Sequence, residues 1–428
     1  MKTVALMGLG VMLVSMSACA QPIVDYVEAP DESFTWEFER TEPLGTAQVT
    51  HLKVTSQTWR DIVWTHRVQV IVPQECTYPE TALMLITGGS PGQSELMMLT
   101  SAAMMVSAPM VILGDIPNQP LFDGLTEDAL IALTFAAYLE TGETDWPLLF
   151  PMTKAAVRAM DAVEEYTAEH WETPVSSWIT TGGSKRGWTT WFTSAVVPDR
   201  IEGIVPMVYD NLNLPAQMRQ HLMAWGDYSP MIHDYTERGL PDMLMTEEGR
   251  RLGLIVDPYT LRDRIDMPKL TLTGTNDPYW PLDAANLYWD GLVGPNYILY
   301  VPNAGHGIDD MMRVINSQVG FFKAATGRIP LPDLSWSFDD IGYLKLTVDP
   351  GEALPVVRVT QWTAHAPTRD FRPAEWSERP TLEHRGEHIA RVAYPREGYA
   401  AIFAEVVYEV DGHEFPLSTT VQIIAAPQ

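Results

Sequence analysis

Thr181-Gly182-Gly183-Ser184-Lys185-Arg186-Gly187 sits between a β-rich apolar run, Val175 to Thr180, and a helix-compatible run, Trp188 to Val196. A serine at such a strand-to-helix turn occupies a strained corner with its hydroxyl exposed above a parallel sheet, as a nucleophile elbow requires. Serine alone is a poor nucleophile, so this reading needs a histidine base and an acid further along. Both follow in order. Gly274-Thr275-Asn276-Asp277-Pro278 comes after the strand-like Leu270 to Thr273, and Asn303-Ala304-Gly305-His306-Gly307 comes after Tyr297 to Val301. Each lies just past the C-terminal end of a strand, where open α/β sheets place their sites. Ser184, Asp277 and His306 are therefore the expected catalytic residues.

The flanking grammar predicts an α/β-hydrolase fold. Residues 34–73 alternate in strand fashion, which suits antiparallel strands opening a mostly parallel sheet. Strand and helix patterns then alternate: Ala82 to Ile86, a helix over Glu95 to Val106, Met110 to Leu113, and a helix carrying Ala156, Met160 and Val163. Ile204 to Val208, Leu270 to Thr273, Tyr297 to Val301 and a helix with Ile315, Val319 and Phe322 complete the series. Repeated βα units imply right-handed crossovers and a parallel sheet. The helix-rich stretch over 211–268 is too long for a loop and predicts a helical cap over the site. After Gly327 short strands separated by turn residues take over, with Asp411-Gly412 marking a hairpin. The expected organisation is a hydrolase domain over 21–330 and a β-sandwich-like domain over 331–428.

The elbow departs from G-x-S-x-G, because position +2 is Arg186 and the glycine comes at +3. Gly88-Gly89-Ser90-Pro91-Gly92 matches that pattern literally. Chemistry rejects the literal match. The residue after the nucleophile donates its backbone N–H to the oxyanion hole; Pro91 has none, whereas Lys185 does. The early glycine loop instead stands where a second donor is needed, so the oxyanion hole is expected from Lys185 with Gly89 or Ser90. Asp210, ending the strand after the elbow helix, rivals Asp277 as the acid, and Asp309 or Asp310 are further alternatives. The other nine histidines show no metal-ligand spacing, and neither a dinucleotide fingerprint nor a P-loop is present. No metal or cofactor is expected.

The chain has 428 residues, 46% of them hydrophobic, with a formal charge of -27. That charge argues against a nucleic-acid partner, since phosphate binding needs a basic face. Lys2, the apolar run Val4 to Val14 and the small residues after it read as an export signal over residues 1–20. Two cleavage readings compete. Ala18-Cys19-Ala20 fits release of a soluble exported protein, and Met16-Ser17-Ala18-Cys19 fits a lipobox with Cys19 lipidated. Periplasm or an outer-membrane lipid anchor is the expected location, with membrane contact only through that anchor. There are two cysteines, and once Cys19 is lipidated or removed, Cys76 stands alone as an inert structural thiol.

Gly183-Ser184-Lys185-Arg186-Gly187-Trp188-Thr189-Thr190-Trp191, Pro206-Met207-Val208-Tyr209-Asp210-Asn211-Leu212-Asn213 and Gly274-Thr275-Asn276-Asp277 resemble the PhoPQ-activated pathogenicity-related protein family. Asn118-Gln119-Pro120-Leu121 and Thr368-Arg369-Asp370-Phe371 are similar to its signatures too. The resemblance implies an exported α/β-hydrolase with a C-terminal β-rich portion, linked to envelope responses and antimicrobial-peptide resistance. It leaves the substrate open. The elbow also resembles that of glucuronoyl esterases locally.

Three functions remain in play. The first is acyl-enzyme hydrolysis of an amide, peptide or ester bond in a peptide or small molecule, the peptidase-like form favoured, with Asp115, Glu127 and Asp128 at the site mouth to hold a free amino group. A uronate esterase would instead use Lys185 or Arg186 to meet the substrate carboxylate. A binding or signalling protein that keeps the fold without turnover is the third.

Overall fold

The computed structural model describes residues 21–90 and 92–427. The expected export signal over residues 1–20, with Cys19, and Pro91 lie outside them. After a short helix α1 (Pro22–Glu28), the chain lays down β1 (Thr35–Leu44), β2 (Ala47–Trp59) and β3 (Ile62–Pro73) as an antiparallel meander. Alternating units follow: β4 (Thr81–Ile86), α2 (Gln93–Val106), β5 (Met110–Leu113), α3 (Glu127–Thr141), α4 (Leu149–His170), β6 (Ser177–Gly183), α5 (Lys185–Val196) and β7 (Ile201–Met207). The segment leading to β8 (Lys269–Gly274) carries α6 (Leu214–Trp225), α7 (His233–Thr236), α8 (Leu240–Met243) and α9 (Glu247–Val256). Then come β9 (Asn296–Val301) and α10 (Met311–Ala325).

The sheet order is β1-β2-β3-β5-β4-β6-β7-β8-β9, antiparallel as far as β5 and parallel from β5 to β9. This is an α/β-hydrolase-like sheet. Its period-two pattern feeds two cores. Ala82, Met84 and Ile86 of β4 pack with α4 and α5 on one face. Leu83 joins α2 and α10 on the other. Because both faces are covered, β8 is buried at every position and reads as a continuous run rather than an alternation.

The C-terminal region is antiparallel β structure: β10 (Ser335–Asp340), β11 (Leu344–Asp349), β12 (Val356–Ala366), β13 (Ser377–Pro380), β14 (Leu382–His384), β15 (Glu387–Val392), β16 (Tyr399–Val410), β17 (His413–Ser418) and β18 (Gln422–Ala425). One layer is β10-β11-β15-β14. The other, β17-β16-β12-β13 with β18 also on β16, continues the main sheet, because Ser418 of β17 pairs with Ile298 of β9. Asp411 and Gly412 both take positive φ, 53° and 75°, in a two-residue hairpin between β16 and β17. The apolar-rich run from Leu417 to Ile423 does not form one continuous strand but is broken after Ser418. There the Thr419 hydroxyl accepts the Ala404 N–H at 3.0 Å in place of a backbone carbonyl.

Candidate active site

Ser184 ends β6 and caps α5 with φ 56° and ψ -122°, a strained conformation for a residue with a side chain. Its backbone is clamped by its own N–H donating to Met207 O at 2.8 Å. The glycines around it are steric necessities. A Cβ on Gly182 would lie 2.7 Å from Arg186 O, and one on Gly187 would lie 2.9 Å from Tyr209 Cβ. The shift of the second glycine from +2 to +3 thus keeps the close strand–helix approach and frees +2 for Arg186. Lys185 is the first residue of α5, so its N–H has no partner inside the helix.

The acid and base loops lock together. Asn276 N–H donates to Ala304 O at 2.9 Å, and Asn303 N–H donates to Thr275 Oγ1 at 2.8 Å. A Cβ on Gly274 would collide with Ala304 O and Gly305 O. The result is an Asp277 Oδ2–His306 Nδ1 contact of 2.8 Å, with Asp277 only 3% exposed. Asp277 Oδ1 accepts the Tyr279 N–H at 2.8 Å, and the Tyr279 ring stacks on His306 with centroids 4.0 Å apart. His306 Nε2 is buried and has no partner among the described residues, so the bond to Ser184 is not formed in this state. Such bonds are often long in unliganded enzymes.

The rival acids stand apart. Asp210 is buried against Tyr288, whose hydroxyl donates to it at 2.8 Å, and burial lifts its pKa to about 7. Asp310 caps α10 through Arg313 N–H, and Asp309 is exposed. Of the second oxyanion donors, Gly89 is half-buried and Ser90 is exposed in the loop after β4. Neighbouring Gly88 is tied to the elbow, since a Cβ there would overlap the Arg186 guanidinium.

The charged residues expected to meet substrate are instead paired within the protein. Arg186 grips Glu127 with two 2.7 Å bonds and also donates to Ile116 O at 2.7 Å. Lys185 Nζ reaches Asp128 Oδ2 at 2.8 Å, and the Tyr235 hydroxyl donates to Asp128 Oδ1 at 3.0 Å. Asp115 makes a two-pronged contact with Arg67, at 2.7 and 2.8 Å. Burial opposes the charge on Glu127, yet Arg186, with Gln119 and Lys185, holds its carboxyl at about 2. Burial likewise opposes the charge on Lys185, and the Asp128 and Glu127 carboxylates outweigh it and raise the pKa. A charge with a partner this close leaves little for a substrate ion.

Ser184 and Lys185 open instead onto a largely apolar cavity, partly open to solvent, beneath α6–α9. Phe135, Trp188, Tyr209, Tyr235, Tyr279 and Trp280 give it aromatic walls. Met218 is the one methionine of the predicted cap that lines it. Tyr279 and Trp280 directly follow the acid turn, and that position was the signal in the sequence. Tyr209 and Asn211 also line it, and only a strand ending at Met207 reveals that they face the site.

A curated relative, "Autocrine proliferation repressor protein A" of Dictyostelium discoideum, is 32% identical over 467 residues, covering 96% of this chain and 91% of that protein. An acetyl xylan esterase from Paenibacillus sp. R4 is similar in structure with TM-score 0.48 at 16% identity, over 69% of this chain and 91% of that one. An S-formylglutathione hydrolase from Agrobacterium tumefaciens gives TM-score 0.45 at 12% identity, over 68% and 99%. The hydrolase-like fold stands on the strand order and the elbow rather than on these partial overlaps. With the elbow, the Tyr209–Asn213 stretch and the acid turn all falling inside residues 23–372, the span matched by the family profile, the chain belongs to the PhoPQ-activated pathogenicity-related protein family.

Proposed function

We propose that the protein is a serine hydrolase that cleaves an ester or amide bond attached to a bulky apolar group. The observation that carries this is the Asp277–His306 pair at 2.8 Å, with His306 stacked on Tyr279, which lines the same cavity as a serine held at φ 56° on the strand–helix corner. Ser184 Oγ attacks the carbonyl carbon while His306 Nε2 takes the hydroxyl proton. The same nitrogen then returns it to the leaving group as the scissile bond breaks, leaving an acyl-enzyme that water hydrolyses. Asp277 keeps the proton on Nδ1 and steadies the imidazolium. The Lys185 N–H, with Gly89 or Ser90, meets the developing oxyanion; one such donor is worth about 2.7–4 kcal/mol.

The apolar cavity supports this substrate class. The internal pairing of Asp115, Glu127, Asp128, Lys185 and Arg186 removes the motive for preferring either a peptide amino group or a uronate. Export through residues 1–20 belongs to the same proposal.

A binding or signalling role without turnover is the second reading, favoured by the unpartnered His306 Nε2 and by the repressor named among the relatives. Fluorophosphonate labelling with p-nitrophenyl ester turnover separates the two. Wild type is expected to label and turn over, Ser184→Ala to do neither, and His306→Ala to lose turnover. Equal labelling of wild type and Ser184→Ala sinks the hydrolase reading.

A further inference from the structure

Two residues that line the cavity beside Ser184 each carry a polar atom that the fold leaves unused. Tyr209 is 2% exposed and Asn211 5% exposed, and both line the cavity. The Tyr209 hydroxyl and the Asn211 amide oxygen are each buried without a hydrogen-bond partner among the described residues. They do not satisfy each other either. A buried polar group left unpaired is a standing cost to folding, so two of them on neighbouring residues that line one apolar cavity point to a ligand rather than to the fold. What they require is complementary: Tyr209 has an O–H to donate and Asn211 has an oxygen that accepts.

The walls narrow the chemistry further. Trp188 stacks on Tyr209 with centroids 5.0 Å apart, and Phe135 and Trp280 meet that pair edge-on, so the cavity presents ring faces and edges suited to a flat group. The charges at its rim, Asp128 and Lys185, neutralise each other at 2.8 Å, which disfavours an ionic ligand. Burial, and then the Asp257 carboxylate, push the Tyr209 phenol well above its ordinary pKa, so it is a neutral donor at physiological pH.

We propose that Tyr209 and Asn211 form the hydrogen-bonding end of the substrate pocket and select an aromatic group that carries a neutral hydroxyl. One hydroxyl accepts from Tyr209 and donates to Asn211, satisfying both with a single atom, while its ring lies among Phe135, Trp188 and Trp280. The inference rests on the hydrolase reading for its placement beside Ser184, and it specifies the substrate as a hydroxyaryl ester or amide.

The test separates binding from turnover. The full chain carrying Ser184→Ala is titrated with methyl 4-hydroxyphenylacetate and with methyl phenylacetate, followed by tryptophan fluorescence. The hydroxylated ester is expected to bind at least about 10-fold more tightly, a difference of about 1.4 kcal/mol. Adding Tyr209→Phe or Asn211→Leu should abolish that preference. Tyr209→Phe should also melt no lower than its parent, since the hydroxyl makes no hydrogen bond among the described residues. Equal binding of the two esters, binding of neither, or a preference that survives both substitutions overturns the proposal. Hydrolysis by the wild type is scored separately. A selective binder that turns over neither ester would retire the hydrolase reading alone, and turnover without discrimination would retire this inference alone.

Discussion

Asp277 and Asp210 end neighbouring parallel strands, yet only Asp277 touches His306. Asp277→Asn keeps the size of the side chain but favours the wrong imidazole tautomer, so kcat is expected to fall on the order of 10⁴-fold with little change in melting temperature. Stopped assays on a p-nitrophenyl ester and a thermal melt check both halves. Asp210 is expected to act on stability alone. Its pKa is raised from 3.8 to about 7 by burial, so the folded state holds a proton that the unfolded chain releases. That contribution is fully present below pH 3.8 and is lost as pH rises through about 7. Asp210→Asn can still accept from Tyr288, and it removes this loss. The melting-temperature gain over wild type should therefore grow from pH 4 to pH 8, with ester turnover unchanged. A constant difference across that range would refute the buried, protonatable Asp210.

At the scale of elements, the site is made by loops that need glycine where backbone meets backbone. Gly274 is the sharpest case, because any Cβ there collides with the Ala304 and Gly305 carbonyls of the base loop. Gly274→Ala should displace His306 from Asp277 while leaving the buried strand intact. Fluorophosphonate labelling is expected to slow by at least about 10², the size of effect that an ångström-scale misplacement produces, with a cooperative melt retained. Labelling at the wild-type rate would show that the loop pairing is not what holds the histidine. Much of this was legible in the sequence, since G-T-N-D and N-A-G-H-G each follow a strand-like run. The reason for each glycine was not, because the clashing carbonyl lies some thirty residues away in the chain.

At the scale of the whole molecule, the C-terminal strands are not appended to a finished hydrolase. Asn276 Nδ2 donates to Arg372 O at 3.0 Å and Ala374 O at 2.7 Å, and Asn303 exchanges two bonds with Trp376. The loops that carry Asp277 and His306 therefore both rest on residues 371–376. The Arg372 guanidinium lies 4.1 Å from the centre of the Trp225 ring on α6, which carries the same segment to the roof of the cavity. Phe415 packs against Gly320 with no room for a Cβ, and Ser317 Oγ donates to Pro416 O at 2.6 Å. A chain ended at residue 330 would expose that face of α10 and the open edge of β9, an invitation to aggregate. It is expected to be insoluble or, if recovered, to lack fluorophosphonate labelling. A soluble, labelled fragment would show that the loops hold without their C-terminal support.

The sequence by itself determined the strand series, the elbow and the order Ser184, Asp277, His306, because period and turn chemistry are local and each motif announces its own position. It also favoured Ser184 over Ser90 as the expected nucleophile, because Lys185 has an N–H to offer and Pro91 has none. Only the tertiary structure showed that Asp277 and not Asp210 pairs with His306, since both follow strands and the pairing depends on which carboxylate a histidine loop reaches across the sheet. Only it showed that Glu127, Asp128 and Asp115 are bound to Arg186, Lys185 and Arg67. Charge in a sequence has a sign but no partner, and pairing is a property of distance. The same holds for Tyr209 and Asn211, whose unused hydrogen bonds exist only because the fold buries them together.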